Sequence, residues 1–279
     1  QLKLSETKVL KAEYGLIPDY KKVNFKNDVV FTWNGTTSGV CLPNANWIEN
    51  DREGLTICDG TSAIFAVDID WQKIDIFTFS WQKVLGGEAA HGILVLSPKA
   101  IEHLEKFTPS WPIPKIFRLT KSKKVIEGVF KGETLNTPSM LCVEDYLDAL
   151  KWVREIGGLE ACIKRANDSF NFINDWVSNS RSIDFLCQEA SNRSNTSVCL
   201  KFKDDRVINQ AEDTQRNLAK EIGVLLEDEG VALDIVNHRS APPGLRIWTG
   251  ATVEPTDVRN LLPWIDWAYN QAFNKIIGR

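Results

Sequence analysis

The sequence predicts an α/β protein with two domains: a large N-terminal domain on a mainly parallel sheet (residues 1–142) and a smaller C-terminal α/β domain (residues 143–279). In the first half, short apolar runs alternate with polar turns. These runs are apolar on both faces, which is typical of strands in a sheet that is covered on both sides. In the second half, long segments with helical apolar spacing stand between short apolar runs. The change of pattern near residues 140–144 marks the expected boundary.

Four strands are predicted in the first half, each an apolar run that ends in a polar turn. They cover residues 29–33, 55–58, 74–79 and 91–96. Ser97-Pro98 ends the fourth run, and the apolar spacing from Ile101 to Phe107 predicts a helix after it.

The second half is expected to contain four helices and four short strands. The helices are predicted at residues 145–156, 159–177, 211–226 and 255–276. The Gly157-Gly158 pair suits the end of the first of them, because glycine accepts the left-handed conformation found at helix C-termini. The strands are predicted at residues 183–187, 197–202, 232–235 and 245–248.

The composition is that of an ordinary globular protein, and it argues against several classes of function. A formal net charge of -4 gives no electrostatic basis for binding nucleic acid, and the one basic run, residues 121–124, is interpreted as a solvated loop. No apolar run approaches the roughly 18–20 residues that cross a bilayer, so no membrane partner is expected. The chain begins at Gln1 in a mixed segment without an initiator Met, which indicates a trimmed or incomplete chain.

The cysteines and histidines do not form a metal-binding pattern. Six cysteines and three histidines are present, with no CxxC pair and no His at a metal-like spacing from a Cys. Most of the cysteines lie in apolar surroundings, as in Leu186-Cys187 and Val198-Cys199-Leu200. We interpret them as reduced core thiols of a cytoplasmic protein, and we expect no metal site.

Three polar side chains follow predicted strands of the first half. Thr36 lies in the turn after the first strand, Asp59 at the end of the second, and Lys83 just past the third. Ligands of α/β sheets bind at the carboxyl ends of strands, so these side chains can face one crevice. A Lys that forms an imine with the cofactor aldehyde, and an Asp that keeps a pyridine nitrogen protonated, would suit pyridoxal phosphate. Taken alone, a solvated surface Lys and a turn-forming Asp are the commoner interpretation.

The segment from Phe79 to Glu88 closely resembles the cofactor-lysine segment of the phosphoserine aminotransferases, which are class-V, fold-type I enzymes dependent on pyridoxal phosphate. The resemblance covers nearly the whole chain and includes four further motifs. These are Asn34-Gly35-Thr36, Asp59-Gly60-Thr61-Ser62, Asn136-Thr137-Pro138-Ser139 and Asn237-His238-Arg239. Several motifs in order are far more specific than a single match.

The resemblance implies a role for each residue of the cofactor site. By it, Lys83 is the lysine that binds the cofactor covalently, and Asp59 partners the pyridine nitrogen. Thr36 bonds near the ring hydroxyl, and Gln82 helps to hold the phosphate. The family's usual N-terminal segment, which carries the phosphate-binding loop and the aromatic residue that stacks on the ring, has no counterpart here.

The resemblance also implies a homodimer with sites shared between subunits. Asn136 and Thr137 resemble the pair that reaches the cofactor phosphate from the neighbouring subunit, although a plain loop before a helix is the alternative. Arg246 resembles the family's carboxylate-binding Arg. His238 and Arg239 resemble the partner-subunit pair that takes the substrate phosphate, although Arg239 could also be an exposed loop charge. Arginine suits both anions because its guanidinium binds carboxylate and phosphate in a bidentate manner.

The activity that the resemblance implies is transfer of the amino group between glutamate and 3-phosphohydroxypyruvate, giving O-phospho-L-serine and 2-oxoglutarate in serine biosynthesis. The alternatives are an aminotransferase of the serine–pyruvate or alanine–glyoxylate type, and an inactive truncated subunit. The His238-Arg239 pair disfavours the former, because those substrates carry no phosphate.

Overall fold

The computed structural model describes residue 4 and residues 6–278. The strands are β1 (Val29–Thr32), β2 (Asn34–Gly35), β3 (Val40–Cys41), β4 (Thr56–Asp59), β5 (Ile76–Ser80), β6 (Gly92–Leu96), β7 (Thr120–Lys121), β8 (Lys124–Val125), β9 (Ile183–Phe185), β10 (Ser197–Phe202) and β11 (Gly244–Trp248). The α-helices are α1 (Pro98–Lys106), α2 (Met140–Ile156), α3 (Gly158–Asn179), α4 (Asp205–Ile208), α5 (Glu212–Asp228) and α6 (Pro255–Ile276).

The larger sheet has four strands in the order β1-β4-β5-β6. The first three are parallel, and β6 is antiparallel to β5, so the predicted α/β class with a mainly parallel sheet is confirmed. The prediction that all four strands are buried on both faces is wrong for the two outer ones. Val30 of β1 is 75% exposed and Val95 of β6 is 39% exposed. Both strands lie at sheet edges, and the part of the chain that the structure describes does not cover these side chains.

A buried ion pair holds the amino ends of β4 and β5 together. Asp75 accepts hydrogen bonds from Arg52 Nε at 3.1 Å, from the Thr56 backbone at 3.0 Å and from Ser97 Oγ at 3.1 Å. Burial by itself would raise the pKa of Asp75, but the hydrogen bonds from Thr56 and Arg52 outweigh it and lower the pKa below its usual value. The carboxylate is therefore charged in the folded protein at neutral pH.

Replacing Asp75 with Asn should destabilise the fold by about 3–5 kcal/mol, because Arg52 would be left buried without a counter-ion. Urea denaturation at pH 7 measures the loss. Since the pKa of Asp75 is lowered on folding, its contribution is present above the unfolded-state pKa and is lost as the pH falls through the lowered value. Asp19→Asn is the matched control: its pair with Lys22 is exposed and should contribute less than about 1 kcal/mol. Equal losses for the two variants would contradict the prediction.

The smaller sheet has three antiparallel strands in the order β11-β10-β9. Its core is formed with α3, α5 and α6, which present Ile173, Leu218, Ile222 and Ile265 as buried side chains. The four predicted helices of this half are present, although α2 starts at Met140 rather than at residue 145. Met140 and Leu141 are exposed, so they do not extend the apolar stripe from which the helix was predicted.

The strand predicted at residues 232–235 is wrong. Asp234 has a φ of 50°, in the left-handed region, which interrupts an extended strand. Only an isolated bridge between Val236 and Leu245 remains nearby. The basic run at residues 121–124 also differs from the predicted loop: it forms the β7–β8 hairpin, whose turn residues Ser122 and Lys123 have positive φ.

All six cysteines are free and buried, as predicted. Burial raises the pKa of the Cys41, Cys58 and Cys199 thiols to about 12. These thiols therefore stay protonated and unreactive at neutral pH. No helix within the described ranges is long and apolar enough to span a membrane.

Candidate active site

Asp59 ends β4 at the edge where the parallel strands terminate. Its Oδ1 accepts hydrogen bonds from the Thr61 backbone at 2.9 Å and from Thr61 Oγ1 at 2.6 Å. Its other oxygen, Oδ2, has no hydrogen-bond partner among the described residues, and the side chain is exposed. The following Gly60 allows the turn to close on the core, since a Cβ there would lie 1.9 Å from the Phe77 ring. Asp59 is thus held by one oxygen and offers the second to a ligand.

Lys83 lies in the turn that follows β5, and its Nζ is 5.7 Å from the centre of the Trp248 ring. It forms no salt bridge within 4 Å to the described residues. Trp248 ends β11 of the smaller sheet, so the predicted cofactor lysine stands where the two sheets meet. Trp248 is a neighbour of the candidate site that the sequence did not indicate.

Thr36 is joined to the smaller sheet through its backbone. Its carbonyl accepts a hydrogen bond from Ser197 Oγ at 2.7 Å. Ser197 is paired with Trp248, and Cys199 with Arg246, in the β10–β11 register. Thr36 and Lys83 are therefore both placed against the same end of this strand pair.

A buried polar network reinforces the same junction. Asn34 Nδ2 donates to the Ser62 carbonyl at 2.8 Å and to Thr196 Oγ1 at 2.9 Å. Thr196 Oγ1 in turn donates to the Ser62 carbonyl at 2.8 Å. Ser62 follows the Asp59 turn and Asn34 precedes Thr36, so the network fixes both turns relative to β10.

Arg246 lies two residues before Trp248 in β11, and side chains two residues apart share a face of a strand. Its guanidinium is 3.6 Å from Asp234, whose own side chain is almost fully exposed. An exposed ion pair of this kind is weak. Arg246 is therefore available to exchange this partner for the carboxylate of a ligand.

The segment before Lys83 is anchored by Trp81. The Trp81 ring stacks on Tyr146 of α2, with centroids 4.4 Å apart, and Trp81 is 4% exposed. Gly87 permits this packing, since a Cβ there would lie 2.6 Å from the Trp81 ring. Trp81 is thus a core residue, and no local pattern indicates its pairing with Tyr146.

Three buried polar atoms of the chain segment around Lys83 have no hydrogen-bond partner among the described residues. They are Gln82 Oε1, Trp81 Nε1 and His91 Nε2. The His91 ring lies 5.3 Å from that of Trp81. Buried polar atoms are usually bonded to protein, water or ligand. Lys83, Asp59 and Gln82 all lie at or just past the carboxyl ends of β4 and β5, and each has a polar group without a described partner.

The remaining predicted site residues lie elsewhere on the chain. Asn136 and Thr137 are exposed in the loop before α2. His238 and Arg239 are exposed in the loop before β11, where His238 Nδ1 is 2.8 Å from Ser240 Oγ. No contact joins either pair to Lys83 within the described chain.

Three comparisons relate this geometry to known proteins. The family model for class-V aminotransferases matches residues 20–253. The chain is similar to a phosphoserine aminotransferase of Methanosarcina barkeri, with 55% identity over 97% of this chain and 70% of that protein. Its fold is similar to that of a phosphoserine aminotransferase from Cytophaga hutchinsonii, with a TM-score of 0.74, 20% identity, and coverage of 92% and 68% of the two chains. It also resembles a pyridoxal-phosphate-bound phosphoserine aminotransferase from Trichomonas vaginalis, with a TM-score of 0.67, 17% identity, and coverage of 85% and 59%.

Proposed function

The chain belongs to the class-V aminotransferase family, and from that membership we propose that it is a pyridoxal-phosphate-dependent phosphoserine aminotransferase. It would transfer the amino group between glutamate and 3-phosphohydroxypyruvate, giving O-phospho-L-serine and 2-oxoglutarate for serine biosynthesis. The observation that carries this proposal is the 55% identity to the Methanosarcina barkeri relative along 97% of the chain. The chain spans 70% of that relative's length.

Lys83 is the proposed catalytic residue. Its amine would hold the cofactor covalently through the cofactor aldehyde, and the free amine would be the base for the Cα proton of the substrate. The cofactor, when bound, would supply an electron sink for the charge left at Cα. The position of Lys83 supports this role, because the side chain follows the end of β5, is half-buried against Trp248 and forms no salt bridge to the described residues.

Asp59 is proposed to hold the proton of the pyridine nitrogen through its free Oδ2. Thr36 would bond near the ring hydroxyl, and Gln82 would donate its amide to the phosphate. The support is that Asp59 Oδ2 and Gln82 Oε1 are without partners among the described residues. The orientation of the Gln82 amide is interchangeable, so the same side chain can present its N–H group to an anion.

The proposed enzyme is a homodimer in which Asn136 and Thr137 of one subunit reach the cofactor phosphate of the other. Exposed apolar side chains in this part of the sequence support a dimer. Phe117 is 68% exposed and Leu141 is 76% exposed, and an apolar hollow of about 480 Å³ lies beside Phe107 and Trp111. Exposed apolar surface of this kind is typical of protein interfaces.

We also propose the division into a large cofactor domain (1–142) and a small domain (143–279), located in the cytoplasm. Separate apolar cores beneath the two sheets support the division, although α2 packs on α3 and on the segment around Trp81. The six free thiols support a reducing compartment.

Substrate recognition is proposed to use two cationic sites: Arg246 for the α-carboxylate, and His238 with Arg239, from the partner subunit, for the substrate phosphate. Replacing Arg239 with Leu should raise the KM for O-phosphoserine about ten- to hundred-fold, since a hydrogen bond to an ionised group contributes about 1.5–3 kcal/mol. The KM for glutamate should change far less, because glutamate has no phosphate.

Arg246→Leu is the matched control, because both substrates carry an α-carboxylate and both KM values should rise. Steady-state kinetics with each amino donor measures the contrast. If Arg239→Leu weakens both substrates equally, the phosphate site is not at Arg239, and an aminotransferase of the serine–pyruvate type becomes the better assignment.

A further inference from the structure

The group that contacts the Lys83 ammonium is an aromatic ring from the smaller sheet. Lys83 Nζ lies 5.7 Å from the centre of the Trp248 ring, within the roughly 6 Å at which a cation is attracted to the face of an indole. No described carboxylate lies within 4 Å of this ammonium. We propose that Trp248 is a positioning residue for Lys83: its ring holds the amine at the junction of the two sheets until a ligand displaces it. This deepens the proposed function and rests on the role of Lys83 in it.

The Trp248 ring is itself held in place. A Cβ at Gly250 would lie 2.7 Å from ring atom Cζ2 of Trp248, so the turn after β11 packs directly on the ring only because residue 250 is glycine. The ring also packs with the buried cluster that includes Trp81, Val84 and Ala251. A ring fixed on these sides presents a stable surface to the lysine.

The turn that carries Lys83 fits against the same part of the smaller sheet at a second point. Gly86 has a φ of 71°, and a Cβ there would lie 3.3 Å from the Thr252 side chain. Lys83 and Gly86 thus meet Trp248 and Thr252, respectively, on either side of Gly250. Because the turn contacts the smaller sheet at two places, the position of the lysine depends on β11 as well as on its own strand β5.

Trp248 and Arg246 share a face of β11, about 6–7 Å apart along the strand. The Trp248 ring therefore lies next to Arg246, the proposed carboxylate-binding residue, and also contacts Lys83, the proposed base. Placing both functions on one short strand fixes the separation between the carboxylate site and the amine. Such spacing determines whether the Cα proton of a bound amino acid lies within reach of Nζ.

The attraction between the Lys83 ammonium and the indole face must be given up before the amine can react, so it should slow attack of this amine on an external reagent. We therefore expect the acetylation rate of Lys83 by acetic anhydride, in the complete chain freed of pyridoxal phosphate, to rise about three- to tenfold in Trp248→Leu. That factor equals about 0.7–1.4 kcal/mol at about 1.4 kcal/mol per factor of ten. Peptide mass spectrometry at fixed pH measures the rate relative to Lys220, an exposed residue of α5.

Trp248→Phe is the matched variant, because Phe and Leu are both smaller than Trp but only Phe keeps an aromatic face. The Phe variant should acetylate Lys83 at a rate between those of the wild type and the Leu variant. Equal Lys83 rates in all three proteins would overturn the proposal, and so would an equal rise in the Phe and Leu variants, since volume and not the ring face would then be responsible. If circular dichroism shows that the Leu variant does not fold, the Phe variant decides: an unchanged rate overturns the proposal.

A second readout uses the cofactor. Covalent capture of added pyridoxal phosphate, followed by its visible absorbance, should change in rate in Trp248→Leu and be largely restored in Trp248→Phe. Failure of the proposed function would look different: borohydride would fix no cofactor on Lys83 in the wild type, while the acetylation contrast between the variants would persist. Absence of that contrast together with normal labelling of Lys83 would overturn the positioning role alone.

Discussion

Replacing Lys83 with Ala is expected to abolish covalent attachment of pyridoxal phosphate and to lower transamination by at least about 10²–10⁴-fold, the usual contribution of a positioned acid–base group. The variant removes both the amine that binds the aldehyde and the base that takes the Cα proton. The fold should be retained, because Lys83 is only partly buried and forms no salt bridge to the described residues. The visible colour of the lysine-bound cofactor and the transamination rate are the two measurements.

Borohydride reduction of the wild-type protein with bound cofactor, followed by peptide mapping, identifies the labelled lysine directly. Lys99→Ala is a suitable control, because the Lys99 ammonium already donates to the carbonyls of Arg52 and Gly54 at 2.7 and 2.8 Å. That variant should keep both colour and activity. Label on a lysine other than Lys83 would refute the assignment, and a colourless wild-type protein would favour an inactive truncated subunit.

Mixing two impaired variants is expected to restore activity if sites are shared between subunits. In a heterodimer of Lys83→Ala with Arg239→Leu, one site carries both substitutions and the other carries neither. Random reassortment of a two-fold dimer should then give about a quarter of wild-type activity. The assay follows transamination of O-phosphoserine, at concentrations too low to saturate Arg239→Leu, after the variants are unfolded and refolded together.

A mixture of Lys83→Ala with Asp59→Asn is the control, because both residues are proposed to belong to the same subunit's half of a site. Every site in that mixture keeps at least one substitution, so no recovery is expected. Equal recovery in the two mixtures would show that the subunit assignment is wrong. No recovery in either, with dimers verified by analytical ultracentrifugation, would place Arg239 and Lys83 in the same subunit's site.

Much of the larger sheet could be predicted because local signals and packing agree. The apolar runs that end at Asp59 and before Lys83 are strands in the structure, and both residues lie at the carboxyl edge. The direction of β6 follows from its connection: parallel neighbours need a crossover, usually helical, and the segment between β5 and β6 contains no helix. The false strand at residues 232–235 shows the limit of this reasoning, because an apolar run does not reveal the left-handed backbone at Asp234.

The contacts that complete the candidate site depend on parts of the chain that are far apart in sequence. Nothing near Trp248 indicates that its ring lies beside Lys83, since that contact requires β11 to be docked on the turn after β5. The same holds for Ser197, whose hydroxyl binds the Thr36 carbonyl. The pattern within one segment can identify candidate catalytic side chains. The residues that contact those side chains depend instead on how the two sheets pack together.

The hydrogen bonds from the first residues of β10 have a further consequence for unfolding. Thr196 and Ser197 bind the carbonyls of Ser62 and Thr36 in buried or half-buried surroundings. Separating the sheets would break these hydrogen bonds, each with a net contribution of about 0.5–1.5 kcal/mol, and would expose the packed surface around them. The smaller sheet should therefore not melt while the larger one stays native. Although the chain has two sheets with separate cores, we expect it to unfold as one cooperative unit. Thermal or denaturant unfolding should then show a single transition and not two.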